Sequence, residues 1–216
     1  ENGFSGTWLS NISVTGGAPA DALALLNSIR LRPTMVAPQD LLDNGLSKRG
    51  FRAIVLPYNK GMSQAEADAI RQFVKQGGLV IGTNYPASYT EHGRKLERGR
   101  LADLFPVTDQ DHVQAIGKGY STYLVDAING YTARLENDNH AGADRMADLL
   151  LKYAGQRPPV ELYDRTGKPR RDIFARVFRR GSTRLVGLLG SDTKANQKPT
   201  PTVLRIPEKR YVYDVR

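Results

Sequence analysis

Residues 51–84 read FRAIVLPYNKGMSQAEADAIRQFVKQGGLVIGTN. Residues 53–56 are a short unbroken apolar run, the pattern of a strand covered on both faces. Tyr58, Asn59, Lys60 and Gly61 then make a polar loop. Ser63 followed three residues later by Glu66 is a capping-box signature, with the hydroxyl accepting from the Glu66 backbone N–H and the carboxylate reaching back. Ala69, Ile70, Phe73 and Val74 recur at helical spacing and define one apolar face. Gly77 and Gly78 stop the helix, because glycine takes the left-handed conformation cheaply. Residues 79–81 form the next apolar run. Strand, helix and strand joined by short loops imply parallel strands and a right-handed crossover.

Outward from this unit, residues 20–29 carry Ala22, Leu23, Leu25, Leu26 and Ile29 on one helical face. Residues 34–37 read as a short apolar strand. Pro38 opens a helical turn that Asn44-Gly45 closes. Residues 85–97 form a long polar loop, and residues 101–104 a helical turn stopped by Pro106. Residues 113–116, the Gly117-Lys118-Gly119 turn and residues 120–125 read as a hairpin leading into a strand. Residues 141–153 form a helix with Met146, Leu149, Leu150 and Tyr153 on its apolar face. Residues 1–18 are rich in Gly, Ser and Thr, with a candidate strand at 11–14.

The pattern changes after Gly155. Short β segments at 160–163, 173–178, 184–189, 202–206 and 211–215 are separated by turn residues, with no helical period. The charge changes too. Residues 1–154 hold 16 basic and 16 acidic side chains, whereas residues 155–216 hold 15 basic and 6 acidic ones, the whole of the net +9. These shifts place a boundary near Gly155: an α/β domain over 1–155 with a parallel sheet and flanking helices, then a small antiparallel β domain over 156–216. The basic tail reads as a solvated, arginine-rich β surface or an interface with an acidic neighbour. No nucleic-acid motif accompanies it, so no nucleic-acid partner is expected.

The chain has no cysteine, which excludes disulfides, thiol nucleophiles and thiolate metal sites. No run approaches the apolar length that spans a bilayer, and no signal peptide is visible, so no membrane partner is expected. The chain begins without Met, which reads as a mature form or a piece of a longer polypeptide.

The chemistry-bearing candidates gather at the predicted carboxyl ends of the parallel strands, where open α/β sheets bind ligands. They are Tyr58, Asn59, Thr83, Asn84 and Tyr85, with Tyr89 and His92 from the loop that follows. Rings and amides suit sugar faces and hydroxyls. Thr83 could act as a nucleophile only with a base beside it. His92, His112 and His140 are far apart and lack metal-pair spacing. The runs Asp109-Gln110-Asp111-His112 and Asn137-Asp138-Asn139-His140 read as polar loops, the second capping a helix at Ala141. Gly117-Lys118-Gly119 lacks the glycine loop and the Ser/Thr of a phosphate-binding P-loop, and G-x-S-x-G is missing. No metal or cofactor is expected.

Residues 51–84 resemble the segment that follows the catalytic barrel in glycoside hydrolase family 42 β-galactosidases. GRLADLFPV (99–107), GKGYSTYLVDAINGY (117–131) and ADRMADLLLKYAG (143–155) are similar to later parts of that domain. PPVELYDRTGKPRRDIFARVFRRGSTRLVGLLGS (158–191) and YVYDVR (211–216) are similar to the small β domain of its relatives. The resemblance implies a trimerisation-type domain of flavodoxin-like, amidotransferase-like fold. At the elbow where class I amidotransferase-like folds carry a nucleophilic cysteine, this chain has Thr83 and Asn84. The family's catalytic carboxylates reside in a TIM barrel, and 216 residues hold no such barrel in addition to this domain. No catalytic residue carries over. The resemblance therefore implies an accessory region, a fragment whose partners are a catalytic barrel, further copies of the chain, or both.

Overall fold

A computed structural model describes residues 18–42, 44–106, 108–181, 183–190 and 201–206. The strands expected at 11–14 and 211–215 lie outside the described residues.

The opening unit forms as its residues dictate. Strand β1 (Ala53–Leu56) leads to helix α4 (Gln64–Lys75) and then to strand β2 (Leu79–Gly82), and β1 and β2 are parallel with Ala53 opposite Leu79. Ser63 caps α4: its Oγ accepts from the Glu66 N–H at 3.2 Å, and the Glu66 carboxylate accepts from the Ser63 N–H at 2.6 Å. Ser63→Ala is expected to cost about 1 kcal/mol, measurable as a lower urea midpoint with an unchanged slope. The helix ends in a Schellman arrangement, Gly77 N–H to Val74 O at 2.9 Å and Gly78 N–H to Phe73 O at 3.0 Å. Only Gly77, at φ 116°, needs a positive φ. Gly78 is required for a different reason: a Cβ there would sit 2.3 Å from the Phe73 ring.

Strand β4 (Gly119–Tyr123) adds parallel to β2, and β3 (His112–Ile116) pairs antiparallel with β4 as the outer arm of the expected hairpin. The order is β1-β2-β4-β3, so the sheet is mixed and mostly parallel. It is covered on both faces. One face packs Val80, Leu56 and Tyr123 against Ile70, Phe73 and Val74 of α4. The same face receives Leu41 of α2 (Pro38–Leu41) and Leu46 of α3 (Gly45–Lys48). The other packs Leu79, Ile81 and Leu124 against α1 (Ala18–Ser28), Tyr131 of α5 (Tyr131–Glu136) and Met146 and Leu150 of α6 (Ala141–Ala154). Central β2 is buried throughout, while β1, the edge strand among the described residues, is half-buried except for Leu56.

Two expectations need correction, and one helix was not foreseen. Residues 34–37 are not a strand: no strand lies beside them among the described residues, and without a ladder an apolar run has nothing to make it β. Asn44-Gly45 does not simply end a helical turn. Asn44, at φ 58°, is the N-cap from which Gly45 begins α3. Helix α5, unforeseen from its sequence, starts after Gly130 at φ 71° and is held by a remote carboxylate. Asp21 accepts from Gly130 N–H at 2.7 Å, Thr132 N–H at 2.9 Å and Thr132 Oγ at 2.6 Å.

The turns at 99–105 are fixed to α4 by Arg71. Its guanidinium meets both Asp103 oxygens at 2.9 Å and Asp68 at 2.6 Å, and also donates to Arg100 O. The hydrogen bond from Arg71 holds the Asp103 carboxyl below its usual 3.8. A lowered folded pKa stabilises above the unfolded value, and the gain is lost as pH falls through the folded one. Arg71→Met is therefore expected to cost about 1 kcal/mol at neutral pH, the pair being half-exposed. The difference from wild type shrinks once urea titrations are run below 3.8.

After Gly155, β5 (Glu161–Tyr163) pairs antiparallel with β8 (Val203–Arg205), and β6 (Ile173–Arg180) forms a hairpin with β7 (Thr183–Gly190). Arginines attach this part to the α/β part. Arg30, 3% exposed, donates Nη2 to Arg170 O and to Ile173 O, the latter at 3.4 Å. Arg32 donates to Val177 O at 2.7 Å and covers the Phe178 ring, while Arg171 pairs with Asp144 of α6 at 2.8 Å. Burial pushes the Arg30 pKa down to about 10.

Candidate functional site

Each strand end delivers one candidate cluster. After β1 the chain turns at Tyr58, φ 61°. After β2 it passes through Asn84 at 53°, Tyr85 at 54° and Ala87 at 57°. Four non-glycine residues in the left-handed region within two adjacent loops are uncommon, and such strain concentrates where a site must be shaped. The two loops are tied by backbone bonds, Ala87 N–H to Asn59 O at 2.8 Å and Tyr89 N–H to Lys60 O at 2.9 Å.

The expected residues do not converge on one point. Tyr58 and Asn59 line a cavity of about 550 Å³ on the outer side of β1. Thr83 is buried, and its Oγ accepts from the Tyr58 N–H at 3.4 Å. Among the described residues that hydrogen bond ties the Thr83 hydroxyl to a backbone N–H rather than to a histidine, lysine or carboxylate. Asn84 and Tyr85 lead away from the cavity. Tyr85 stacks on Tyr123 at 5.5 Å between centroids and donates to Thr108 O at 3.4 Å. Burial pushes the Tyr123 hydroxyl up to about 12, with Tyr85 adding to the shift. Tyr89 bridges Gly61 and Lys95, and His92 is exposed in the turn that Gly93 N–H closes onto Thr90 O. The Asn59 Oδ1 atom is buried, with no hydrogen-bond partner among the described residues.

The two acidic loops are used internally. Asp111 accepts from Val125 N–H at 2.9 Å and pairs with Arg145. His140 lies 3.0 Å from Asp138 and is itself the N-cap of α6, with no capping bond from its side chain; Asn139, one residue before it, accepts from Ala141 N–H at 3.2 Å. No group of three His, Asp or Glu side chains gathers among the described residues. No described helix is long and apolar enough to cross a membrane.

What sequence reasoning missed is the cavity. Its walls are Leu23 and Leu26 of α1, Met35 and Val36, Leu41, Leu46 and Phe51, with Ile54 and Val55 of β1 itself. The signal was present as a mismatch: an apolar strand at 34–37 with nothing assigned beside it. Tyr123, at the end of the hairpin strand, was also missed. Its place at a carboxyl end could have marked it.

A two-sided, mostly parallel sheet with small antiparallel β pairs after it makes this a mixed α/β fold. No family model and no curated protein matches the chain. Solved structures do share its fold. The β-galactosidase from Bacillus circulans sp. alkalophilus matches at a TM-score of 0.60 and 11% identity, over 90% of this chain and 37% of that one. Gan42B, a GH42 β-galactosidase, matches at 0.60 and 9%, over 90% and 35%. The cold-adapted β-galactosidase from Rahnella sp. R3 matches at 0.54 and 14%, over 79% and 31%. The likeness is one of fold, and the chain spans about a third of the length of these structures.

Proposed function

We propose that this chain is a non-catalytic accessory region of a glycoside-hydrolase-like protein. In this reading residues 1–155 are a trimerisation-type domain of amidotransferase-like, flavodoxin-like fold, and residues 156–216 are a small β domain docked on it. Its partners are a catalytic TIM barrel, further copies of the chain, or both. The observation that carries the reading is the state of the strand ends: Thr83 is buried, and its hydroxyl is bonded to a backbone N–H rather than to an acid or base among the described residues. The fold match to a minority of each β-galactosidase chain supports the same reading. Light scattering on the purified chain, alone and mixed with a separately made catalytic barrel of the parent protein, tests it. An oligomer or a complex with the barrel is expected. A strict monomer that ignores the barrel overturns the proposal.

One observation favours a second reading, a small polar ligand held at the strand ends. The strained loop residues and the unpartnered Asn59 Oδ1 are the features such a site would use. Sugars are the ligand class that Tyr58 and Asn59 suit. Calorimetry against a panel of mono- and disaccharides decides it, and no heat with any of them removes it.

A further inference from the structure

The β6–β7 ribbon turns an apolar face outward. Its register sets Phe174 opposite Leu189, Arg176 opposite Gly187, Phe178 opposite Leu185 and Arg180 opposite Thr183. Side chains alternate along a strand, so these pairs share one face. On it Phe178 is 58% exposed, Leu185 55% and Leu189 69%. One edge of the ribbon is already occupied. Ile173 O and Val177 O accept from Arg30 and Arg32, which hold β6 against the α/β part. Arg32 also lies 5.6 Å from the Phe178 ring centroid and covers one side of it. A two-stranded ribbon is marginal in water, and no third strand joins this one among the described residues. Neighbouring apolar side chains more than half exposed on such a ribbon mark a surface that gains by being covered.

We propose that this face docks on the catalytic barrel of the parent protein, at an apolar patch bordered by carboxylates. The inference rests on the accessory-region reading above and gives that partner a surface. Charge selects the occupant. Arg176 stands between the two apolar pairs and Arg180 beyond them. Both are exposed, and neither pairs with a carboxylate among the described residues. Gly187, opposite Arg176, adds no side chain, so the guanidinium has room to reach a carboxylate of the partner. A second copy using the same face would set these arginines against their own counterparts, a like-charge contact that costs affinity. A nucleic-acid strand stacks on a row of rings, and Phe178 is the one ring exposed on this face. A lipid surface selects larger basic clusters than Arg176 and Arg180 provide. An apolar protein patch with an acidic border matches both the leucines with Phe178 and the two arginines.

Calorimetry and light scattering of the purified chain with the separately made barrel test this. Phe178→Ser combined with Leu189→Ser is expected to weaken binding about 30-fold. Arg176→Glu combined with Arg180→Glu is expected to weaken it about 10-fold at low salt, and less at high salt, where the attraction is screened. Leu151→Ser, at an exposed leucine on α6, should change nothing. Urea midpoints should match wild type, because exposed side chains hold little of a fold together. If the serine pair disturbs the ribbon, the glutamate pair still reads the face. Equal binding by wild type and both ribbon variants overturns the proposal and leaves the accessory reading standing. No binding by the wild type removes the barrel from that reading as well, so the two failures are distinct. A large fall of the urea midpoint in both ribbon variants shows that the chain itself covers the face, and overturns the proposal. Self-association, or binding to anionic phospholipid vesicles, that the ribbon variants abolish gives the face another occupant and overturns it too.

Discussion

Asp21→Ala is expected to lower the stability of the chain by about 3 kcal/mol. The carboxylate is 6% exposed and accepts three hydrogen bonds, two from backbone N–H groups at the start of α5 and one from the Thr132 hydroxyl. Hydrogen bonds to a charged acceptor exceed neutral ones, and truncation leaves buried donors with no partner. The loss should also be local. Alpha5 spans six residues and begins with no side-chain cap of its own, too few to hold a helix without help. Its amides should therefore lose exchange protection before those of α6. Asp21→Asn should cost about half as much, because one acceptor oxygen remains while the amide NH₂ faces a donor. Urea titration gives the magnitude, and exchange gives the place. Equal loss of protection in α5 and α6 would show that Asp21 supports the fold generally rather than that helix.

The same residue explains what was legible in the sequence. The Ser63 cap and the glycine stop of α4 are made by residues within one turn of the helix ends, so the spacing alone located both. The cap of α5 comes from more than a hundred residues away, and nothing near Tyr131 announces it. Pairing fails in a similar way. Residues 34–37 and 53–56 are both apolar and β-like, yet only the second finds a ladder among the described residues, because a strand depends on its neighbour as well as on its own pattern.

The candidate site was legible as a place more than as a constellation. The carboxyl ends of β1 and β2 do come together, tied by Tyr58 to Thr83 and Asn59 to Ala87. The backbone angles that separate the side chains were not readable: Tyr58, Tyr85 and Ala87 adopt a conformation their residue types seldom take. Tyr85 consequently stacks on Tyr123 instead of meeting Asn59 over the cavity. The tail shows a related limit. Its arginine excess was visible, but its use was not. Arg171 leaves the tail to pair with Asp144 of α6, and Arg170 pairs with Asp172 beside the carbonyl that Arg30 holds. Part of the basic surplus is thus attachment rather than an open surface.

Phe73→Ala should be the most damaging single change in the opening unit, at about 4 kcal/mol. Phe73 is 4% exposed and packs with Ile70 and Val74 between α4 and the sheet. Its ring also fills the space where Gly78 has no side chain, with ring carbons 2.3–2.6 Å from where a Cβ would stand. Gly78→Ala alone should therefore cost about 2 kcal/mol through overpacking, since its φ does not itself demand glycine. The two changes should not add. With the ring gone, the new methyl enters the vacated space, so the double variant should be more stable than the sum predicts by about 1–2 kcal/mol. A double-mutant cycle in urea measures this directly. Gly119 is the contrasting control: a Cβ there meets the Gly78 and Val74 carbonyl oxygens at 2.2 Å, backbone atoms that Phe73→Ala does not remove. Gly119→Ala should thus stay damaging in the Phe73→Ala background. If it is rescued equally, the coupling comes from general loosening of the core, and the ring-for-methyl exchange at Gly78 is wrong.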